Sequence, residues 1–209
     1  MERESRVTAV PLERHDTTVV AVILAAGLSR RLGRSKQLLP WRGTTLLGYT
    51  IDVVRAAGIT DIAVVLGHDA AAVRTALADR AVVFLENADF AMGQGTSVAC
   101  GARWAQQRGC RRVVFLPCDQ PLLTATHLQT LLAAHPSAAA CMPRVGQQPT
   151  SPVVWGAQTL ETLSQLSGTT GGRQLFAAGT VVPTYVDFDA PELLRDIDTP
   201  EDYAALCDM

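Results

Sequence analysis

A chain of 209 residues with 48% hydrophobic and 18% charged side chains is long enough for one sizeable core and too apolar for global disorder. Its formal net charge of −2, without a basic tail or stripe, excludes nucleic acid held by a broad positive surface, yet leaves room for a small polyanion met by a few focused cations. No apolar run reaches membrane-spanning length, and five widely spaced cysteines give no zinc pattern, so a reduced, cytoplasmic protein with no membrane partner is expected.

Residues 1–18, MERESRVTAVPLERHDTT, mix both charge signs without an apolar signal core. They read as a loose extension, with one domain expected over 19–209. VVAVILAA (19–26) is β-branched and apolar throughout, as a strand covered on both faces should be. TLLGYTIDVVRAAG (45–58) has helical spacing and closes on glycine. Strands are expected at 62–67 and 82–87, with a helix at 70–78 between them. GTSVACGARWAQQRG (95–109) reads as a capped helix, RVVFLPCDQP (112–121) as a strand entering a turn, THLQTLLAAH (126–135) as a helix and AAACMP (138–143) as a strand. This alternation predicts an α/β domain, Rossmann-like and three-layered, with a mainly parallel sheet. The last third is looser: a turn and short strand at 146–155, a Gly/Thr loop entering a helix at 166–176, a strand near 180–188 and a terminal helix at 199–207.

The loop after the first strand, LAAGLSRRLGRSK (24–36), lies at the sheet edge where ligands of such folds bind. It carries Gly27 and Gly33, the cations Arg30, Arg31 and Arg34, and the chain's single lysine, Lys36. Backbone N–H groups and clustered cations suit a triphosphate, and a solvated basic turn is the plain alternative. Neither GxxxxGK[ST] nor GxGxxG fits the spacing. The missing GxGxxG also argues against a nicotinamide-dependent oxidoreductase. Asp119 follows an apolar strand, and Asp198 lies in DIDTPED (196–202). Each reads either as a ligand for a hard cation or as a turn or helix-cap residue. Gly95, Thr96 and Ser97 fall at an expected helix start, a place suited to a polar or anionic group.

The combination of LAAGxSxRLGxxK, LPW, CDQP and a terminal DIDTPED resembles the MobA-like nucleotidyltransferase family, and within it the molybdenum cofactor cytidylyltransferase branch. The resemblance runs from about residue 20 to 206 and implies the nucleotide-diphospho-sugar transferase fold. It implies that Leu24, Ala25, Ala26 and Gly27 contact base and ribose, that Arg31 and Lys36 hold the triphosphate, and that Asp119 and Asp198 hold Mg²⁺. Lys36, Arg31 and Asp119 are then the catalytic residues, and the segment with Gly95, Thr96 and Ser97 closes over the nucleotide. AAG at 25–27, rather than AGG, goes in that family with cytidine nucleotides. The implied substrates are CTP and a phosphorylated acceptor, molybdenum cofactor, with a molybdenum hydroxylase apoenzyme as a downstream partner.

Three positions depart from the family pattern: Cys118 where glycine is common, TSPV at 150–153 where a Gly-His-Pro or Gly-Asn-Pro segment is usual, and GTTGG at 168–172 without a preceding acidic residue. They leave open another phosphorylated acceptor, a sugar or polyol phosphate, and a non-catalytic cofactor carrier. A place for Trp41 in the acceptor pocket, and a structural or capping role for His68, are further expectations.

Overall fold

The computed structural model describes residues 19–134 and 137–207; the expected N-terminal extension, with His15, and His135 lie outside the described residues. In chain order the elements are β1 (Val19–Ala25), β2 (Pro40–Trp41), β3 (Thr44–Thr45), α1 (Leu46–Ala56), β4 (Ile62–Leu66), α2 (Ala70–Ala76), β5 (Val83–Glu86), α3 (Gln94–Arg108) and β6 (Arg112–Pro117). There follow α4 (Ala125–Ala134), β7 (Ala140–Val145), β8 (Gln148–Pro149), β9 (Val153–Gly156), α5 (Leu160–Ser164), α6 (Arg173–Ala177), β10 (Thr184–Asp187) and α7 (Pro200–Cys207).

The main sheet runs β10-β7-β9-β6-β1-β4-β5, with β8 pairing β7 at the side. β1 pairs in parallel with both β4 and β6, and β4 with β5. β9 is antiparallel to both neighbours, β6 and β7, which makes the sheet mixed but mostly parallel. The fold is α/β, as the alternation of strands and helices predicts.

The apolar run of β1 serves two cores. Ala21, Ile23 and Ala25 face a cluster with Leu47, Ile51 and Val54 of α1 and Leu128 and Leu131 of α4. Val20 and Val22 face the opposite cluster, with Val98, Ala102 and Ala105 of α3 and Leu160 and Leu163 of α5. A strand covered on both faces has no polar side, which is why its sequence shows no alternation. α1 is capped by Thr45, whose hydroxyl accepts the Gly48 N–H at 3.0 Å, and α3 ends on Gly109 in the left-handed region at φ 65°. α3 lies so close to the sheet that a Cβ at Gly101 would sit 2.5 Å from Val22 Cγ1 and 2.9 Å from Phe115 Cε1. Gly101→Ala is therefore expected to destabilise the fold by about 1–3 kcal/mol through overpacking, read as a lowered urea midpoint; an unchanged midpoint would contradict this packing.

A third, smaller cluster joins the two ends of the described chain. Leu32, Leu39, Trp41 and Leu46 pack with Ile197 and Leu206. It holds the loop after β1 against the segment that leads into α7. Among the described residues no helix is long and apolar enough to cross a membrane.

Candidate active site

The strand order reverses between β1 and β6: the chain builds outward through β4 and β5 on one side, then crosses to β6 on the other. Ligands of open α/β sheets bind at such a point, outside the carboxyl ends of the strands. The loop after β1 and the loop after β6 both open there.

The first loop is braced from beneath. Buried Gln37 donates through Nε2 to the Ala25 carbonyl at 2.6 Å and to the Gly27 carbonyl at 3.3 Å, while its Oε1 accepts from the Ser35 hydroxyl at 2.9 Å. The Ser29 hydroxyl accepts the Lys36 N–H at 3.1 Å. Gly33 turns at φ 70°, a conformation that side-chain-bearing residues rarely adopt. Leu32 and Leu39 anchor the loop in the third apolar cluster. The outcome is a short 3₁₀ turn, Lys36–Leu38, that aims the lysine inward.

Lys36 Nζ donates to Asp119 Oδ2 at 2.9 Å and to Asp198 Oδ1 at 2.8 Å; Arg31 Nη2 donates to Asp198 Oδ2 at 2.8 Å. The lysine side chain is 11% exposed, the Asp119 side chain 24%, Asp198 39% and Arg31 68%. Burial by itself would lower the Lys36 pKa, but the Asp119 and Asp198 charges and their hydrogen bonds outweigh it and hold it above the ordinary 10.5. The hydrogen bond from Lys36, with the Lys36 and Arg31 charges, holds Asp198 below the ordinary carboxylate value against its partial burial. Asp196 is open to solvent but walled by protein at the cleft mouth. Desolvation first, then the charge of Asp119, pushes its pKa up to about 6.

Two backbone arrangements place Asp198. The Ile197 N–H donates to the Asp119 carbonyl at 2.9 Å, tying the terminal segment to the loop after β6. The start of α7 is then capped reciprocally by its neighbours: Asp202 Oδ2 accepts the Thr199 N–H at 2.8 Å, and the Thr199 hydroxyl accepts the Asp202 N–H at 3.2 Å. Capping falls to Thr199 and Asp202, so the Asp198 carboxylate faces the cleft instead.

Three cavities meet at this centre and share Leu24 and Asp119 in their walls. The first, about 190 Å³, is lined by Ala25, Gly27, Arg30, Arg31, Lys36 and Asp198. The second, about 510 Å³, is lined by Ala26, Gly27, Arg30, Phe90, Gln94 and Ser97. The third, about 320 Å³, is lined by Gln94, Gln120, Thr150, Trp155, Arg173 and Asp196. Asp119 Oδ2 and Asp198 Oδ1 reach one common point, where Lys36 Nζ stands. No larger group of His, Cys, Asp or Glu converges among the described residues. Two carboxylates beside an open cavity suit a hard divalent ion that takes its remaining ligands from phosphates and water, and do not suit a closed zinc site.

The structure thus brings Leu24, Ala25, Ala26, Gly27, Arg31, Lys36, Asp119 and Asp198 to one cleft. The helix start at Gln94 is different. Ser97 lines the second cavity, but the Gly95 N–H donates to the Gly168 carbonyl at 3.0 Å and the Thr96 hydroxyl to the Gly93 carbonyl at 2.8 Å. These two residues stitch the helix start to its surroundings. Asn87, which the sequence reading passes over, holds Thr96 Oγ1 and Ser97 Oγ through Nδ2 at 2.9 and 3.0 Å. Gln94 and Gln120, which sit inside quoted motifs without a role assigned to them, and Arg173, which carries no motif signal, are further cleft residues. Trp41 does not line the third cavity. The β2–β3 hairpin turns it into the third apolar cluster, beside a separate cavity with Pro40, Arg42 and Leu122. His68 gives its backbone N–H to the Ala26 carbonyl at 3.4 Å, and its ring lies beside Asp69 and Phe90.

Cys118 packs in the first core cluster, and burial with the neighbouring Asp119 charge pushes its thiol up to about 12. Since the thiolate is the reactive form, a mild alkylating agent at pH 8 is expected to label exposed Cys207 and spare Cys118. Early labelling of Cys118 on a peptide map would contradict this placement.

These features define a nucleotidyltransferase. Residues 21–183 match the MobA-like NTP transferase domain family. The chain is 30% identical over 193 residues to the Bacillus subtilis purine catabolism protein PucB, covering 88% of this chain and 94% of that protein. It is 30% identical over 192 residues to the nicotine blue oxidoreductase of Paenarthrobacter nicotinovorans, covering 88% and 93%. It is 28% identical over 189 residues to the Escherichia coli molybdenum cofactor cytidylyltransferase, covering 90% and 94%. Among solved structures, Rv0371c of Mycobacterium tuberculosis superposes with a TM-score of 0.82 at 29% identity, over 93% of this chain and 100% of that one; that protein has also been solved with manganese. The chain belongs to the MobA-like NTP transferase family.

Proposed function

We propose that the protein is a divalent-metal-dependent CTP:molybdenum cofactor cytidylyltransferase. The observation that carries this reading is the Lys36 ammonium fixed between Asp119 and Asp198 where three cavities meet. The first cavity takes the triphosphate, the second the base and ribose, and the third the acceptor. The AAG turn at 25–27 and the E. coli cytidylyltransferase relative support CTP. The amides of Gln94, Gln120 and Gln148 in the third cavity suit a heteroatom-rich acceptor.

In the transfer, an oxygen of the acceptor's phosphate forms a bond to the α-phosphorus of CTP. The bond from that phosphorus to the α–β bridging oxygen breaks, and pyrophosphate leaves with the electron pair. No general base is required, because a phosphate monoester is mostly dianionic at neutral pH, with a second pKa near about 6. The obstacles are repulsion between two anions and charge growing on the leaving group. Lys36 and Arg31 oppose both, and fixed charges in a walled cleft act without reorganising during the reaction. A divalent cation held by Asp119 and Asp198 would supply further neutralisation of the phosphate oxygens. Leu24, at the junction of all three cavities, sets where the two substrates abut.

A second acceptor class, a sugar or polyol phosphate, is favoured by one observation: Thr150 and Ser151 line the third cavity where the family pattern has Gly-His-Pro or Gly-Asn-Pro. A pure carrier has no use for the Lys36–Asp119–Asp198 centre. The test is pyrophosphate release with Mg²⁺, each of CTP, GTP, ATP and UTP, and molybdenum cofactor as acceptor. Release with CTP alone, dependent on the cofactor, is expected. Release that follows a sugar or polyol phosphate instead would transfer the reading to the second class.

A further inference from the structure

The hydrogen-bonded cluster of Lys36, Arg31, Asp119 and Asp198 is internally neutral, with Arg30 a further cation on the wall of the first cavity. Two cations, Lys36 and Arg31, are engaged by two carboxylates, Asp119 and Asp198. Lys36 is nearly enclosed, so a phosphate chain entering the first cavity reaches its ammonium by displacing carboxylates that also repel the phosphates. A divalent ion reverses the situation. Held by Asp119 and Asp198, it would offset their charge, so that Lys36 and Arg31 would be free to meet phosphates and the cavity would be more positive.

We propose that Asp198 makes nucleotide binding conditional on a divalent cation, by competing with the phosphates for Lys36 and Arg31. Asp198 is thereby a specificity-determining residue that separates metal-complexed from free nucleotide. The inference rests on reading the first cavity as the triphosphate site. Asp198 carries this role more than Asp119 because it bridges: one oxygen takes Lys36 at 2.8 Å and the other takes Arg31 at 2.8 Å, whereas Asp119 engages Lys36 alone among the two. The contacts that hold its segment do not use its carboxylate. They are the Ile197 N–H on the Asp119 carbonyl and the backbone N–H groups of Asp198 and Thr199 on Asp202 Oδ2. The charge can therefore be removed while the backbone stays in place. Coupling between two ligands is reciprocal, so metal must also bind more tightly with nucleotide present.

The experiment is calorimetric titration of the wild type and Asp198→Asn with CTP and, in parallel, inorganic tripolyphosphate, each in Mg²⁺ and in EDTA. The wild type is expected to prefer the Mg²⁺-loaded forms by about tenfold or more, within the usual range of coupling between sites. Asp198→Asn is expected to bind the metal-free forms about tenfold more tightly than the wild type does, so that a variant damaged in catalysis gains affinity. Equal or weaker metal-free binding by Asp198→Asn overturns the inference alone. Asp198→Ser serves as the second variant should the amide itself hold Lys36, and a wild type indifferent to Mg²⁺ overturns the inference without any variant. A wild type that binds neither Mg²⁺-loaded ligand removes the triphosphate reading and the inference together. Tripolyphosphate binding with the expected gain, but no CTP binding, upholds the inference and removes only the base assignment.

Discussion

Lys36→Ala is expected to lower turnover by about 10²–10³-fold at saturating nucleotide and Mg²⁺, the usual loss when one preorganised contact to developing charge is deleted. The lysine is held above its ordinary pKa of 10.5, so the variant loses a full charge at every working pH. Arginine should be a poor substitute, because a planar fork cannot occupy the point where two carboxylates converge on one compact ammonium. The variant also leaves Asp119 and Asp198 facing one position without a cation between them. Its melting temperature should fall, and Mg²⁺ should restore more of it than Mg²⁺ adds to the wild type. Steady-state pyrophosphate release and thermal melts with and without Mg²⁺ read both effects. Near-normal turnover would remove Lys36 from the centre.

Ile197→Ala is expected to cost about 2–5 kcal/mol of stability, as large-to-small changes at fully buried sites do. The Ile197 side chain is wholly buried, in the cluster that joins Leu32 and Leu39 to Leu206. Because its own N–H ties the terminal segment to Asp119 and Asp198 is the next residue, the same change should raise the KM for nucleotide. Ile197→Val should cost only about 0.5–1.5 kcal/mol and spare that KM. Urea unfolding and nucleotide kinetics on the two variants check this; an Ile197→Ala midpoint equal to that of Ile197→Val would sink it.

Patterns confined to one element were readable in the sequence. The apolar run at 19–26, the helices at 46–56 and 94–108, and the position of Asp119 just past β6 lie within a residue or two of expectation, although the start of the second helix, at Gly93, has no Thr or Ser side-chain cap. What was not readable depends on partners distant in sequence. Gln37 looks like an ordinary polar residue before two leucines, and its brace on the Ala25 carbonyl leaves no local signature. The antiparallel insertion of β9 between β6 and β7 follows from tertiary packing, because a short apolar run such as PVVW carries no direction. Gly95 reads in the sequence as a donor at a helix start, but its N–H is taken by the Gly168 carbonyl, 73 positions on. Trp41 sat beside a motif, and proximity in sequence suggested a pocket that the β2–β3 hairpin turns it away from. The two aspartates could be identified as candidates, but their convergence on one ammonium could not.

The contacts at the centre connect residues 83, 162 and 167 positions apart. Closing such loops costs conformational entropy before any contact rewards it, and contacts of long sequence separation form slowly. The Asp198 contacts, 162 and 167 positions apart, span more of the chain than the β1–β6 pairing at the middle of the sheet, and are therefore expected to form late. In refolding, recovery of nucleotide binding should lag behind the far-ultraviolet signal of the sheet and helices; simultaneous recovery would contradict this order. Competence to bind nucleotide then certifies that the whole chain has been assembled.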